Sequence, residues 1–205
     1  MNALVQDVSG NIIDLFEGKK DILNHTIRAI NDPKRRFKED ALRILRAIRF
    51  VGKLHFKIEK ATFEAMKQDA HLLNKIPTER ILKEFELILK QPHIHAVYQL
   101  FEKVQFGKVF KQLEQAFNLL KGAHKHIALE DLFVLGIYPN DRMDLDQWRL
   151  SNKQIWTIQE ILSLMDILEH QRLNPLVAYQ HPEELMIHAD WLLTTFYTYE
   201  SQKSA

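Results

Sequence analysis

Helical periodicity is the feature that most restricts the fold of this sequence. From residue 29 onward, apolar residues recur at intervals of three and four, and the 205-residue chain has only six glycines and six prolines to interrupt them. Thr78 and Ser151 or Asn152 are the N-caps expected for two of the helices. The pattern predicts helices at residues 39–52, 60–72, 78–90, 93–104, 107–121, 128–137, 151–169 and 182–197.

Residues 1–28 do not follow this pattern. Two short apolar runs, 3–5 and 12–16, flank the Ser-Gly-Asn sequence at 9–11, which is typical of a β-hairpin. A second glycine-containing turn is predicted at 17–19. Because an isolated hairpin is only marginally stable in water, we expect it to be a remnant of a larger sheet. The predicted fold class is mainly α, a helical array with a short N-terminal β-hairpin.

Composition favours an ordinary globular protein. Hydrophobic residues make up 46% and charged residues 27% of the chain, and the formal net charge is +1. The absence of cysteine excludes disulfides and thiolate metal sites. Neither a secretory signal nor an apolar run long enough for a membrane span is evident, so we expect a cytoplasmic protein with no membrane association.

Positive charge is concentrated locally. Residues 34–57 carry nine lysines and arginines against only Glu39 and Asp40. On a helical wheel, Glu39, Arg43 and Arg46 lie opposite an apolar stripe. Asp40 lies at the edge of the polar face, three residues before Arg43. The stripe consists of Ala41, Ile44, Leu45, Ile48 and Val51.

A carboxylate and a guanidinium side by side present an acceptor and a donor to a planar base. Cytosine and adenine match that pattern, whereas uracil and guanine present the reverse and would leave polar groups unpaired. Asp40 and Arg43 therefore form a candidate template for C and A. The alternative is that Glu39 with Arg43, or Arg36 with Asp40, form ordinary surface pairs on the helix.

The segment RRFKEDALRILRAIRF resembles the neck helix of the class II tRNA nucleotidyltransferases, which include the CCA-adding enzymes and bacterial poly(A) polymerases. The resemblance implies that Asp40 and Arg43 contact the base of an incoming CTP or ATP and that Glu39 holds Arg43 in place. Arg46 completes the implied nucleotide-binding set.

The resemblance extends to both sides of this segment. It implies a hinge and neck-supporting role for seven further residues: Asp14, Gly18, Asp21, Arg28, Glu79, Arg80 and Glu84. One departure is visible, because the family usually has two glycines where Glu17 and Gly18 stand. We therefore expect a stiffer turn at this point.

The same resemblance implies a domain order. Residues 1–28 would be the remnant and hinge of a head domain, 29–90 the neck, 91–170 the helical body, and 171–205 the start of a truncated tail. The family's catalytic carboxylates, which bind Mg²⁺, belong to the head, so we expect no metal site and no activity without a head domain. The single Asp-x-Asp sequence, at Asp144 and Asp146, is predicted to be a polar helix start.

The predicted function is thus the neck and body of a CCA-adding enzyme, with tRNA, CTP and ATP, and a separate head domain as expected partners. Two alternatives remain open at the level of sequence. One is an RNA-binding helical module without nucleotide chemistry. The other is a poly(A) polymerase, or a relative that adds only CC or only A.

Overall fold

A computed structural model describes residues 4–121, 123–138, 144–170 and 181–203. Within these residues the fold is mainly α, as predicted, with eleven α-helices and two small two-stranded sheets. No helix of the described part is long and apolar enough to cross a membrane. The helices are α1 Gly18–Leu23, α2 Pro33–Glu39, α3 Leu42–Leu54, α4 Lys60–Asp69, α5 Thr78–Leu89, α6 Ile94–Lys103, α7 Phe106–Val109, α8 Glu114–Leu120, α9 Leu129–Ile137, α10 Asn152–Glu169 and α11 Glu183–Lys203.

The predicted hairpin is confirmed. Strand β1, Leu4–Gln6, pairs antiparallel with β2, Ile12–Asp14, and Gly10 adopts a positive φ of 87° in the turn between them. The turn expected at 17–19 is instead the beginning of α1, with Glu17 in the left-handed conformation before it. The backbone bends there as expected, but it continues directly into a helix.

A second sheet joins the N-terminal segment to the neck. Strand β3, Thr26–Ile27, pairs in parallel with β4, Lys57–Ile58, and Ile27 is buried in the core. The backbone N–H of Glu59 donates to the Ile27 carbonyl at 2.9 Å. This contact between distant segments has no periodic signal, and the sequence did not predict it.

The helix predicted over 39–52 is wrong in its extent, because the chain forms two helices separated at Asp40. Asp32 caps α2 by accepting a hydrogen bond from the Lys34 N–H, and Pro33 occupies the first helical position. Asp40 has extended backbone angles, φ −154° and ψ 98°. Its carboxylate accepts from the Leu42 N–H at 3.2 Å, a local bond that competes with helix continuation. The predicted apolar stripe of α3 is confirmed as buried.

The remaining helices follow the prediction closely, with one interruption. Residues 107–121 do not form one helix, because Phe110 leaves helical geometry between α7 and a 3₁₀ turn, Lys111–Leu113. The bend places Phe110 against Phe85 and Trp148 inside an aromatic core. Ring packing in that core therefore outweighs the local helical preference.

Two N-cap predictions have opposite outcomes. Ser151 accepts a hydrogen bond from the Gln154 N–H at the start of α10, so this cap is confirmed. Thr78 is not a cap, because Pro77 occupies the N-cap position of α5 and Thr78 is already helical. Two further 3₁₀ segments, Ala70–Lys75 and Asp146–Trp148, complete the described elements.

Candidate nucleotide-selecting site of the neck

Arg43 lines a small cavity between the β3 segment and helices α2 and α3. The cavity has a volume of about 40 Å³, and Arg28 and Arg36 line it as well. The Nε atom of Arg43 is buried and has no hydrogen-bond partner, and among the described residues Arg43 forms no ion pair. Three guanidinium groups around one cavity, one with an unused buried donor, make a site suited to a ligand with acceptor atoms.

Asp40 faces different partners. Its Oδ1 accepts from the Leu42 N–H, and its Oδ2 lies 3.6 Å from Nη2 of Arg80 on α5. Because Asp40 is not helical, the expected side-by-side projection from one helix is wrong. Asp40 does not line the Arg43 cavity, although its backbone carbonyl accepts from the Arg43 N–H at 3.2 Å.

Glu39 pairs with residues of its own helix. Arg36 Nη1 lies 2.7 Å and Arg35 Nε 3.1 Å from its carboxylate oxygens. These hydrogen bonds, that from Arg35 foremost, hold the pKa of Glu39 below its usual value. The implied contact with Arg43 is therefore wrong for this structure, and neither of the alternative surface pairs, Glu39 with Arg43 or Arg36 with Asp40, is present among the described residues.

Helix α5 supports α3 through a buried carboxylate. Glu84 is 6% exposed, with its Oε1 3.3 Å from Arg46 Nε and its Oε2 3.2 Å from Arg49 Nε. Only the Arg46 contact has hydrogen-bond geometry. Arg46, predicted to bind nucleotide, thus has its Nε directed at the neck interior. Arg49 was missed by the sequence analysis, although it falls one turn after Arg46.

The N-terminal residues named by the sequence form local contacts around α1. Asp14 accepts from the Gly18 N–H at 2.7 Å and from the Lys19 N–H at 2.9 Å. The latter bond is the main cause of a lowered pKa for Asp14. The single Nε–H of Arg28 donates a bifurcated hydrogen bond to both carboxylate oxygens of Asp21. These contacts fasten α1 to both neighbouring segments, and their role as a hinge stays a prediction.

Sequence spacing on α5 predicts four-residue ion pairs of Glu79 with Lys83 and of Arg80 with Glu84, and neither pair is present among the described residues. Glu79 pairs with Arg149, whose Nη1 lies 2.7 Å away and which is 70 positions distant in the chain. Arg149 has a positive φ of 50° and is another residue that sequence reasoning missed. Each predicted neck-support residue on α5 therefore reaches another element.

The described residues contain no cluster of three or more His, Asp or Glu side chains able to hold a metal ion. Asp144 accepts from the Asp146 N–H at 3.0 Å, at the start of a 3₁₀ turn. The predicted polar helix start is therefore confirmed.

Comparisons with known proteins agree with the neck motif. A family model described as the probable RNA- and SrmB-binding site of polymerase A matches residues 55–117. CCA-adding enzymes from Lactobacillus helveticus and Enterococcus faecalis are 33% and 34% identical over 91% and 98% of this chain. Over the body region that these matches cover, the chain is a member of the family of CCA-adding enzymes and poly(A) polymerases. The family resemblance inferred from the sequence is thereby confirmed.

A solved member of this family shares the fold. The CCA-adding enzyme of Bacillus stearothermophilus, determined in complex with CTP, aligns over 98% of this chain with a TM-score of 0.68 and 28% identity. The chain covers 52% of that protein, and 49% and 52% of the Lactobacillus and Enterococcus enzymes. It thus spans about half the length of the family members it matches.

Proposed function

We propose that this chain provides the nucleotide-selecting neck and RNA-binding body of a tRNA nucleotidyltransferase of the CCA-adding type. CTP and ATP are the selected nucleotides and tRNA is the RNA. Support comes from the family membership over the helical body and from the geometry around Arg43.

The observation that carries the proposal is the buried, unpartnered Nε–H of Arg43. A buried N–H without a partner destabilises the folded protein by about 1–3 kcal/mol. Such a group calls for an explanation, and a ligand that accepts its hydrogen bond would provide one. Arg28 and Arg36 add positive charge to the same cavity. An incoming base would supply the missing acceptor: N3 of cytosine or N1 of adenine.

Asp40 supplies the acceptor half of the template in this proposal. The Arg80 guanidinium and the Leu42 N–H each use one side of its carboxylate, which leaves further lone pairs available. Asp40 lies at the non-helical junction of α2 and α3, and the proposal requires that its carboxylate turn from Arg80 toward the base bound by Arg43. Arg80 is a positioning residue that holds it in the present orientation.

Mg²⁺ does not fit the described residues, which offer no cluster of three ligands for it. Two-metal phosphoryl transfer needs carboxylates on both ions. Nothing in the neck provides them, so selection and binding are the steps assigned to this chain.

Nucleotide incorporation tests the proposal. The chain would be incubated with radiolabelled CTP, ATP or UTP, a tRNA lacking its 3′ CCA, and Mg²⁺, with and without a separately expressed head domain of a related CCA-adding enzyme. We expect CTP and ATP incorporation when the head is present. Arg43→Ala should then reduce the preference for CTP over UTP, whereas Arg35→Ala, at an exposed side chain of α2, should not.

Unchanged selection by Arg43→Ala would overturn the template assignment. Binding of tRNA without any nucleotide incorporation, even with the head present, would favour the alternative of an RNA-binding helical module. A product extended with A alone would indicate a poly(A) polymerase or an A-adding relative.

A further inference from the structure

A second cleft is lined by a different set of residues from the Arg43 cavity. It has a volume of about 540 Å³ and runs between the end of α3, β4, α4 and α6. Its floor is apolar and includes two half-buried aromatic rings, Phe56 and Phe63. Its polar lining consists of His55, Lys57, Gln99 and Lys103.

Close packing of α3 on α6 creates this cleft. A Cβ at Gly52 would lie 2.8 Å from both Gln91 and Val97, so only glycine permits the two helices to approach this closely. The Gly52 carbonyl accepts from the His93 N–H at 3.0 Å. At the same junction His55 ends α3 in the left-handed conformation and stacks on His93, with ring centroids 4.5 Å apart.

The charged residues that line the cleft are both positive. Lys57 on β4 and Lys103 on α6 are exposed, and among the described residues neither forms an ion pair. No acidic residue lines the cleft. The nearby carboxylates are engaged elsewhere, Glu59 with Arg28 and Glu102 with Lys121. Two unneutralised lysines on separate elements of the lining favour an anionic occupant.

The two aromatic rings indicate which class of anionic ligand would fit the cleft. Phe56 is held edge-on by His25 at 4.9 Å, and Lys67 lies 6.0 Å over the Phe63 ring. Aromatic faces next to lysines are the combination that binds unpaired nucleotides, because bases stack on the rings while phosphates contact the cations. We propose that this cleft binds an unpaired nucleotide of an RNA strand, with its base against Phe56 and Phe63 and its flanking phosphates on Lys57 and Lys103.

A strand, rather than a free mononucleotide, is the occupant that the shape favours. The cleft is open at the surface, and the lysines stand on separate elements where a backbone can pass between them. The family model for a probable RNA-binding site, residues 55–117, includes every residue that lines the cleft except Val51. The inference rests on the proposed function, because it identifies which surface of the body holds RNA.

Fluorescence anisotropy with labelled RNA tests this site. The probes are a short single-stranded RNA and a blunt RNA duplex of the same length. Lys57→Ala and Lys103→Ala should each weaken single-strand binding roughly 3–10-fold and lower the salt slope by about 0.7. Phe63→Leu should weaken it by about 5–10-fold while duplex binding stays unchanged. Lys153→Ala, an exposed lysine on α10, is the matched control and should bind normally.

Photocrosslinking provides a readout that does not depend on any variant folding. A single-stranded RNA containing 4-thiouridine should form adducts that map to peptides containing Phe56 or Phe63. Adducts only elsewhere, or equal losses for the duplex and the single strand, would overturn the proposal. Displacement by CMP or AMP at concentrations far below those needed for RNA would also overturn it, in favour of a mononucleotide site.

Two kinds of failure are distinguishable. If the wild-type chain binds neither single-stranded RNA nor tRNA, the proposed RNA-binding function fails and the cleft assignment fails with it. If the wild type binds RNA and the Lys57, Lys103 and Phe63 variants bind equally well, only the cleft assignment is wrong.

Discussion

Glu84 and Arg46 connect the two central helices of the neck, with Glu84 Oε1 lying 3.3 Å from Arg46 Nε across the α3–α5 interface. The carboxylate is buried, whereas the Arg46 side chain is 40% exposed. One buried acid of α5 therefore lies against two arginines of α3, Arg46 and Arg49. The arrangement links the positioning of α3, which carries Arg43, to a single side chain of α5.

Removing this acid should destabilise the neck. Glu84→Ala leaves Arg46 and Arg49 close together without a counter-charge, so we expect the free energy of unfolding to fall by about 2–3 kcal/mol. Lys83→Ala, an exposed change on the same helix, should have an effect within about 0.5 kcal/mol. Urea denaturation measures both, and equal stabilities of the two variants would contradict this account.

Replacing Arg43 should stabilise the protein, in contrast to the removal of Glu84. Its buried Nε is unpartnered and it shares a cavity with two other arginines, so Arg43→Met should raise the free energy of unfolding by about 1 kcal/mol. Functional sites often contain residues that lower the stability of the folded protein. Arg35→Met, at a side chain that is 79% exposed, is the control and should be nearly neutral. A destabilised Arg43→Met protein would show that the guanidinium has a structural role.

Helices α2 and α3 show one feature that the sequence predicts and one that it does not. The apolar stripe of α3 was predictable because burial follows helical periodicity. The break at Asp40 was missed, although Asp32 and Pro33 mark the start of a separate α2. The residues around Asp40 all favour helix, so the sequence pattern gave no sign of a break. The break depends on the local hydrogen bond from the Leu42 N–H to the Asp40 carboxylate.

The ion pairs of the site were less predictable. Spacing rules describe neighbours on one helix, and they suggested Arg80 with Glu84 and Glu79 with Lys83. In the structure, Arg80 and Glu79 instead form ion pairs with residues outside α5. Tertiary packing brings Asp40 to Arg80 and Arg149 to Glu79. Such contacts depend on helix placement and leave no periodic trace in the sequence.

Glu17 occupies a backbone conformation that favours glycine. Its φ of 57° is left-handed, which costs a residue with a side chain about 1 kcal/mol or more. Glu17→Gly should therefore strengthen α1, despite the added freedom of the unfolded chain. Hydrogen exchange at the Asp21 amide, which donates to the Glu17 carbonyl, reports on this locally.

Lys19→Gly is the matched control for Glu17→Gly. Lys19 is helical, so glycine there should weaken α1 by about 1 kcal/mol and accelerate exchange at the same amide. Changes of the same sign in both variants would show that left-handed strain at Glu17 is not the governing factor.

Glu169 should make the docking of α11 dependent on pH. Hydrogen bonds donated by Tyr138 and Tyr197 lower the pKa of Glu169 below its usual value, with a smaller contribution from His170. A carboxyl group with a lowered pKa in the folded state stabilises that state fully above its unfolded pKa, and this stabilisation is lost as pH falls through the folded pKa. Because Glu169 is largely exposed, Glu169→Gln should be less stable than wild type by only about 0.3–0.5 kcal/mol at neutral pH, and the difference should shrink as the pH falls through the folded pKa of Glu169. Thermal unfolding of both proteins across this range, followed by limited proteolysis within α11, measures the effect, and a difference that grows as the pH falls would refute it.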